Sequence, residues 1–397
     1  MKSPALLPTA ALTGSVAVFM TVSLLFSDRV LANGATSVAH GLALQAARAK
    51  FVRLKAKKVF YTRRWNLDRL PTYHPRHQVH GTLRIWGSNY ITDSNLGNYW
   101  VAGFHKYEPG VRFTFHMKTA LAAVPALVFG VADIGVGHKI TFSEQLLYER
   151  YKNRDPLTIS VATGSYNVTG WQPGYGILVN RDNPINCLTI EQLDGIFGSQ
   201  RSGGWHGTSW HPEYARGPEQ NVRVWGQLGL TGKWAHHVID PYGLNLRYHQ
   251  TQEMSDLILK GSDKWNGALR IYANYVTRKG ALGRNLKSDL AKDRYGIGWV
   301  AAPTYHRPPQ LKVLAIARHE GGRCIRYTIN TVRDRTYPLY SQVYMFANRR
   351  RSGAINPVVR QFLRYVVSRQ GQEAIERDGK YLPLTAKVAW AQWRKLR

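Results

Sequence analysis

Cysteine is almost missing from this chain: Cys187 and Cys324 are the only two among 397 residues. Two thiols cannot build a cysteine-based metal cluster, which removes that class of protein. Acidic residues are scarce too, 24 against 54 lysines and arginines, for a formal net charge of +30. His74, His77 and His80, and the adjacent His236 and His237, therefore have no acid cluster beside them and read as surface residues rather than metal ligands. A nucleophile elbow, a phosphate-binding P-loop and a metal motif of ordinary spacing are also absent. The chain reads as a non-enzyme, with no cofactor and no metal.

Long apolar runs are lacking apart from one near the amino terminus. Lys2 precedes a mostly apolar stretch from Ala10 to Phe26, broken by Thr13, Gly14, Ser15, Thr21 and Ser23 and short for a membrane span. With Val30-Leu31-Ala32 as a processing site, residues 1–32 read as a cleaved export signal. No cysteine follows the apolar run, so lipid attachment is not indicated. The expected destination is the periplasm, the cell envelope or the extracellular space. In such an oxidising compartment the two cysteines either form one disulfide or stay as unrelated buried thiols.

Arg48, Lys50, Arg53, Lys55, Lys57 and Lys58 open a basic cluster that continues through Arg63, Arg64 and Arg69, yet basic residues recur to Arg394, Lys395 and Arg397. Charge spread this evenly implies solubility and weak polyanion contact through the first cluster, not a dedicated nucleic-acid site.

Residues 33–81 form a basic lead-in that ends in the broken stretch Leu70 to His77 and looks like an appendage. Ordered structure begins with the alternating strand Gly81 to Ser88, then Leu96, Tyr99, Trp100, Phe104 and Tyr107 at helical spacing. Strand Val111–His116, a helix over Ala120–Phe129 interrupted by Pro125, and strand Val131–Val136 follow. That alternation predicts α/β architecture with largely parallel sheets. Leu188 to Gly198 is a marked helix start: Thr189 caps it, Gln192 completes a capping box, and Leu193, Ile196 and Phe197 form the apolar stripe. Further on, strands are expected at Val222–Trp225, Gly296–Val300 and Gln342–Ala347, and helices at Gln250–Lys260, Leu269–Lys279 and through Phe362–Val367.

In this order the landmarks resemble the phosphate-type branch of the type 2 periplasmic binding proteins. They are Gly87-Ser88, Ala132-Asp133-Ile134-Gly135, the Leu188-Thr189 helix, Ile297-Gly298-Trp299, Tyr337-Pro338-Leu339, Phe362-Leu363-Arg364-Tyr365 with Gly371-Gln372, and Gly379 to Leu384 with Lys380 inserted. The resemblance covers residues 82 to 386. It implies an α/β, two-lobed fold, each lobe a mainly parallel sheet flanked by helices, with two hinge crossings near residues 170 and 335. Lobe one comprises 82–169 plus 336–386, lobe two 170–335, and 387–397 remain as a basic tail. Both cysteines then fall in lobe two, which favours their pairing. The implied function is an exported solute-binding protein that captures phosphate, or a related inorganic or phosphorylated anion, between the lobes and serves the membrane subunits of an ABC transporter. The alternative is a polyanion-binding protein of the envelope on a degenerate scaffold.

The implied ligand loops depart from the family pattern. Gly87-Ser88-Asn89 keeps the first loop, where Ser88 either donates to an anion or caps a helix. Lys118-Thr119 replaces a Gly-Ser-Gly turn. His138-Lys139 stands where the family has an aspartate or a Ser-Arg pair, so Lys139 keeps a charge without a bidentate fork, and His138 donates one hydrogen bond but cannot be a carboxylate acceptor. The fourth loop aligns with Gly226 to Gly232, where Gln227, Gly229, Thr231 and Gly232 are the candidates. The aromatic and histidine-rich stretch Gln200–Gln220 either covers a larger ligand or packs on its lobe.

Overall fold

The computed structural model describes residues 52–75, 77–272, 285–350 and 352–397, together with Ala46, Ala49 and Lys50. The expected export signal and Arg48 lie outside the described residues, as do the side chain of Arg53 and most of the helix expected at Leu269–Lys279. The chain divides into residues 1–58 and 59–397. In the first part Ala46, Ala49 and Lys50 are helical and Val52–Ala56 forms a helical turn.

In the second part, strand β1 (Gly81–Gly87) buries Leu83 and Ile85 while Thr82 and Arg84 face solvent. It pairs in parallel with β2 (Val111–His116) and β3 (Ile134–Gly137), and β4 (Leu157–Thr163) completes the first run of strands. The chain then passes to a second sheet, entering at β5 (Tyr175–Asn180). Beyond β6 (Cys187–Thr189) and the hairpin of β7 (Gly204–His206) and β8 (Ser209–His211), that sheet is built by β9 (Asp240–Leu244), β10 (Arg270–Tyr272), β11 (Gly296–Ala301) and β12 (Leu311–Val313). Strand β13 (Ala315–Ala317) pairs with β6, and β14 (Gln342–Ala347) returns to the first sheet.

Among the described residues both sheets have five strands, ordered β2-β1-β3-β14-β4 and β10-β9-β11-β5-β12. In each, the fourth strand runs against its neighbours: β14 between β3 and β4, β5 between β11 and β12. The cause is topological. The other strands end at the cleft between the sheets, whereas β5 and β14 start there because each follows a passage from the other lobe. The two passages are joined by Gly164 N–H to Ser341 O and Tyr175 N–H to Leu339 O, both 2.8 Å. Each lobe has its own aromatic core, with Trp100 buried in the first and Trp225 and Trp299 in the second.

Two expectations at the ends are corrected. Residues 59–80 are not an appendage: Leu67, Leu70 and Tyr73 are buried, and Phe60 and Tyr61 N–H donate to Gly379 O. The segment lacks periodicity because it is held by side chains, with Glu108 accepting from Tyr73 Oη at 2.9 Å and from Val79 N at 2.7 Å. Most of the expected basic tail, 387–397, belongs to a helix, Ala386–Arg394. It buries Ala389, and Gln392 accepts from Ser160 N–H in β4. The first helix of the second lobe, its opening helix, spans Ile190–Phe197 with the capping box of Thr189 and Gln192 in place. At the second cysteine-bearing segment, Cys187 and Cys324 are bridged across a sequence separation of 137. No helix among the described residues is long and apolar enough to cross a membrane.

A cross-link over so long a loop restrains the unfolded chain strongly. Replacing both cysteines by serine is expected to cost about 2–5 kcal/mol of unfolding free energy, read from urea denaturation; an unchanged midpoint would contradict this role.

Candidate functional site

Between the two sheets lies a cavity of about 210 Å³. Its first wall comes from the loop after β1. Gly87 has φ +135°, and a Cβ there would stand 2.0 Å from Val136 O, so only glycine lets β1 approach β3 while turning out to present Ser88. Ser88 and Asn89 line the cavity, with Ser88 N–H fixed to Val136 O at 2.9 Å. The Asn89 amide donates to Asp93 at 2.6 Å, which orients it. A second contribution is Thr119, the cap of the short turn at Ala120–Ala122. Tyr381 closes the floor, and burial pushes its phenol up although a hydrogen bond from Ser88 works the other way.

His138 follows β3 and is buried against the cavity. Its Nδ1 lies 2.7 Å from Lys139 O, and a carbonyl only accepts, so Nδ1 carries the proton. Its Nε2 has no partner among the described residues. The ring stacks on His249 at 4.2 Å and 8°. His249 begins the ten-residue helix His249–Ile258, whose first N–H groups have no intrahelical acceptor. Burial first, and the neighbouring His138 second, push His249 down to about 3, so it stays neutral at physiological pH.

One turn further on, Glu253 is buried and accepts from Tyr175 Oη at 2.6 Å, Ser341 Oγ at 3.2 Å and Gln172 Nε2 at 3.4 Å. Burial raises its carboxyl, against those hydrogen bonds and the fields of His138 and Lys139. Among the described residues the cavity lining holds no lysine or arginine. What it offers is hydroxyls, amides and helix-start N–H groups, a set suited to holding a small oxyanion. A larger hollow of about 620 Å³ lies on the first lobe alone. There Arg64 pairs with Glu376 at 3.0 Å and Arg377 lies over the Tyr99 ring, whereas the cleft cavity draws its lining from both lobes and is the candidate site.

Of the candidates from sequence, the structure brings Ser88, Asn89, Thr119 and His138 together, with Gly87 directly behind them. Lys118 is exposed and outside the lining. Lys139 is spent on Asp256 at 2.6 Å, across from the first lobe to the second. Gln227, Gly229, Thr231 and Gly232 lie elsewhere, on two short turns at Trp225–Leu228 and Gly232–Trp234. Gln227 there accepts from Val224 N–H and donates to Asn221 O, a structural role. The misplacement has a physical cause. Asp240-Pro241-Tyr242-Gly243-Leu244 is the true strand, interior to its sheet between β10 and β11, but proline and glycine disguise it, and Val222–Trp225 looked like the strand instead. The loop that leads into the cleft is therefore Asn245–Tyr248. His249 and Gln250 were missed for that reason, although the spacing of 250–260 did announce the helix; Gln172 and Tyr175 sit where the first passage enters β5, and no motif marks them. The residues of the Gln200–Gln220 stretch do not line the cavity.

A family model described as PBP superfamily domain matches residues 80–370. The phosphate-binding protein PstS of Pseudomonas aeruginosa is 29% identical over 325 residues, 81% of this chain and 88% of that protein. Among solved structures, PstS from Borrelia burgdorferi aligns with a TM-score of 0.48 and 12% identity, covering 77% of this chain and 100% of that one. An ABC-type phosphate transport receptor from Vibrio cholerae aligns with a TM-score of 0.46 and 16% identity, covering 76% and 99%.

The neutral His249 predicts an acid-sensitive fold. The unfolded chain takes a proton on this residue near pH 6.5, the folded chain only near 3. As pH falls through that window the unfolded state binds the extra proton, and stability drops by about 1.4 kcal/mol per pH unit. His249→Phe keeps a stacked ring and is expected to remove that slope, measured by urea denaturation at pH 4.5 and 7; an equal slope in both proteins would refute the assignment.

Proposed function

The chain belongs to the PBP superfamily domain family, and on that footing we propose that it is an exported solute receptor that takes phosphate, or a related small anion, into its cleft cavity for an ABC transporter. The observation that carries this reading is the convergence of Ser88, Thr119, His138 and the start of the His249 helix, from both lobes, on one cavity of about 210 Å³. That volume suits a tetrahedral oxyanion and leaves little room for a large organic solute. Helix-start N–H groups and hydroxyls aim partial positive charge at the ligand without a guanidinium. The surrounding charge of +30 draws anions toward the cleft. A disulfide fits an oxidising compartment, as an exported receptor requires. The arrangement offers no bond-making step, and capture alone is the proposed activity.

Calorimetric titration of ligand-free protein tests this. Inorganic phosphate is expected to bind one to one, and Ser88→Ala to weaken it roughly ten- to hundredfold, the worth of one hydrogen bond to a charged group. Thr231→Ala, on a turn outside the cavity, is expected to leave affinity unchanged. Absence of heat and of any thermal shift with phosphate, sulfate, molybdate and organic phosphates would overturn the small-anion reading.

A further inference from the structure

Residues Gln200–Gln220 stand outside the cavity, yet they are firmly anchored to the second lobe. Their base is welded to the opening helix. Asp194, buried in that helix, accepts both Nη groups of Arg201 at 2.7 and 2.6 Å, and Arg216 Nε lies 3.3 Å from the same carboxylate. The backbones of Arg201 and Arg216 also exchange two hydrogen bonds of 2.9 Å. Trp205 N–H is tied to Lys260 O at 2.8 Å, and the indoles of Trp205 and Trp210 pack edge to face at 5.0 Å. The hairpin β7–β8 is thus a stiff arm on the second lobe.

The tip of this arm touches the first lobe. Thr208, beside the Gly207 turn, has its Oγ1 2.8 Å from each carboxylate oxygen of Glu149, in the helix Phe142–Lys152. The Trp205 ring packs on Phe142, at the start of the same helix, with centroids 4.9 Å apart. Glu149 is oriented before the hairpin arrives, since Gln145 Nε2 donates to Glu149 Oε1 at 2.9 Å and to Asp155 Oδ1 at 3.0 Å. The Lys139–Asp256 pair spans the same gap, but both side chains are about a third or more exposed, so it adds little.

We propose that the β7–β8 hairpin is an interlobe clasp, which holds the cleft closed before ligand arrives and sets how long a bound solute stays. The contacts of Thr208 with Glu149 and of Trp205 with Phe142 join parts of the chain that separate when the lobes swing apart, so they stabilise only the closed form. A contact of that kind moves the closed-to-open equilibrium, and apparent affinity follows the closed fraction. Four side chains that never touch the solute thereby control its release. The residence-time half of the proposal rests on the receptor reading above; the closure half does not.

Small-angle X-ray scattering of the full ligand-free chain tests closure directly. Wild type is expected to show the same radius of gyration with and without inorganic phosphate. The triple variant Phe142→Ala, Trp205→Ala, Thr208→Val is expected to be larger without phosphate, to contract on adding it, and to release it about tenfold faster in stopped flow. Should the triple variant fold poorly, Glu149→Ala with Thr208→Val alters only the tip and is expected to shift both readouts in the same direction. A ligand-free wild type as expanded as the variants, or variants as compact as wild type, would overturn the clasp. A wild type that binds no anion would defeat the receptor reading, while the ligand-free scattering comparison would still decide the clasp.

Discussion

One buried carboxyl holds the cleft together. Glu253 sits in the helix that heads the second lobe's side of the cavity and accepts from Tyr175 and Gln172 near the first passage and from Ser341 on the second. Burying a carboxyl is costly, and here the cost is met by convergent donors and by a shift toward the neutral form. The gain is positional. With the helix pinned to both passages, His249, one turn earlier, can stack on His138 from the opposite lobe at 4.2 Å. The reversed strands β5 and β14 both begin beside Glu253, since Tyr175 is the first residue of β5 and Ser341 directly precedes β14.

Permanent charge is kept out of the cavity by the same packing. Lys139, which the sequence puts beside the site, is neutralised by Asp256, and His249 cannot be charged at physiological pH. The remaining donors are dipoles. Under the first-lobe loop the pattern repeats, with Lys380 and Asp378 buried as a pair 3.2 Å apart and Asp378 accepting from Asn95 N–H. The charges near this cleft are therefore spent on one another, Lys139 with Asp256 and Lys380 with Asp378.

What was legible in the sequence was local. The opening helix, Ile190–Phe197, could be read because its capping box and apolar stripe lie within ten residues of one another. β14 was legible as Gln342–Ala347 for a similar reason, alternation inside one strand. The long-range arrangement was less so. Asp240–Leu244 is an interior strand of its sheet yet spelled with Pro241 and Gly243, and Tyr242 and Leu244, its two large apolar side chains, are too few to outweigh them. Residues 59–80 have no periodic pattern because Glu108 and residues far along the chain supply their hydrogen bonds. The first-lobe half of the site was visible, as each residue follows a readable strand. The second-lobe half was not, because its helix start depends on that disguised strand.

A cleft lined by dipoles instead of guanidinium groups makes a specific demand on the rest of the molecule. In water an N–H or hydroxyl exchanges one hydrogen bond for another and gains little by contacting an anion. Moving the contact from water to a protein environment with an effective dielectric near 20 strengthens its electrostatic part by about fourfold. That gain exists only while solvent is excluded, which is to say only while the lobes are shut. A receptor with an arginine in its cleft can attract and hold an anion half open; one without must close fully to bind at all. The buried Asp194 of the opening helix, by fixing Arg201 and Arg216 and through them the hairpin that reaches Glu149, belongs to this logic. The helix that identifies the fold also anchors the arm spanning its two lobes.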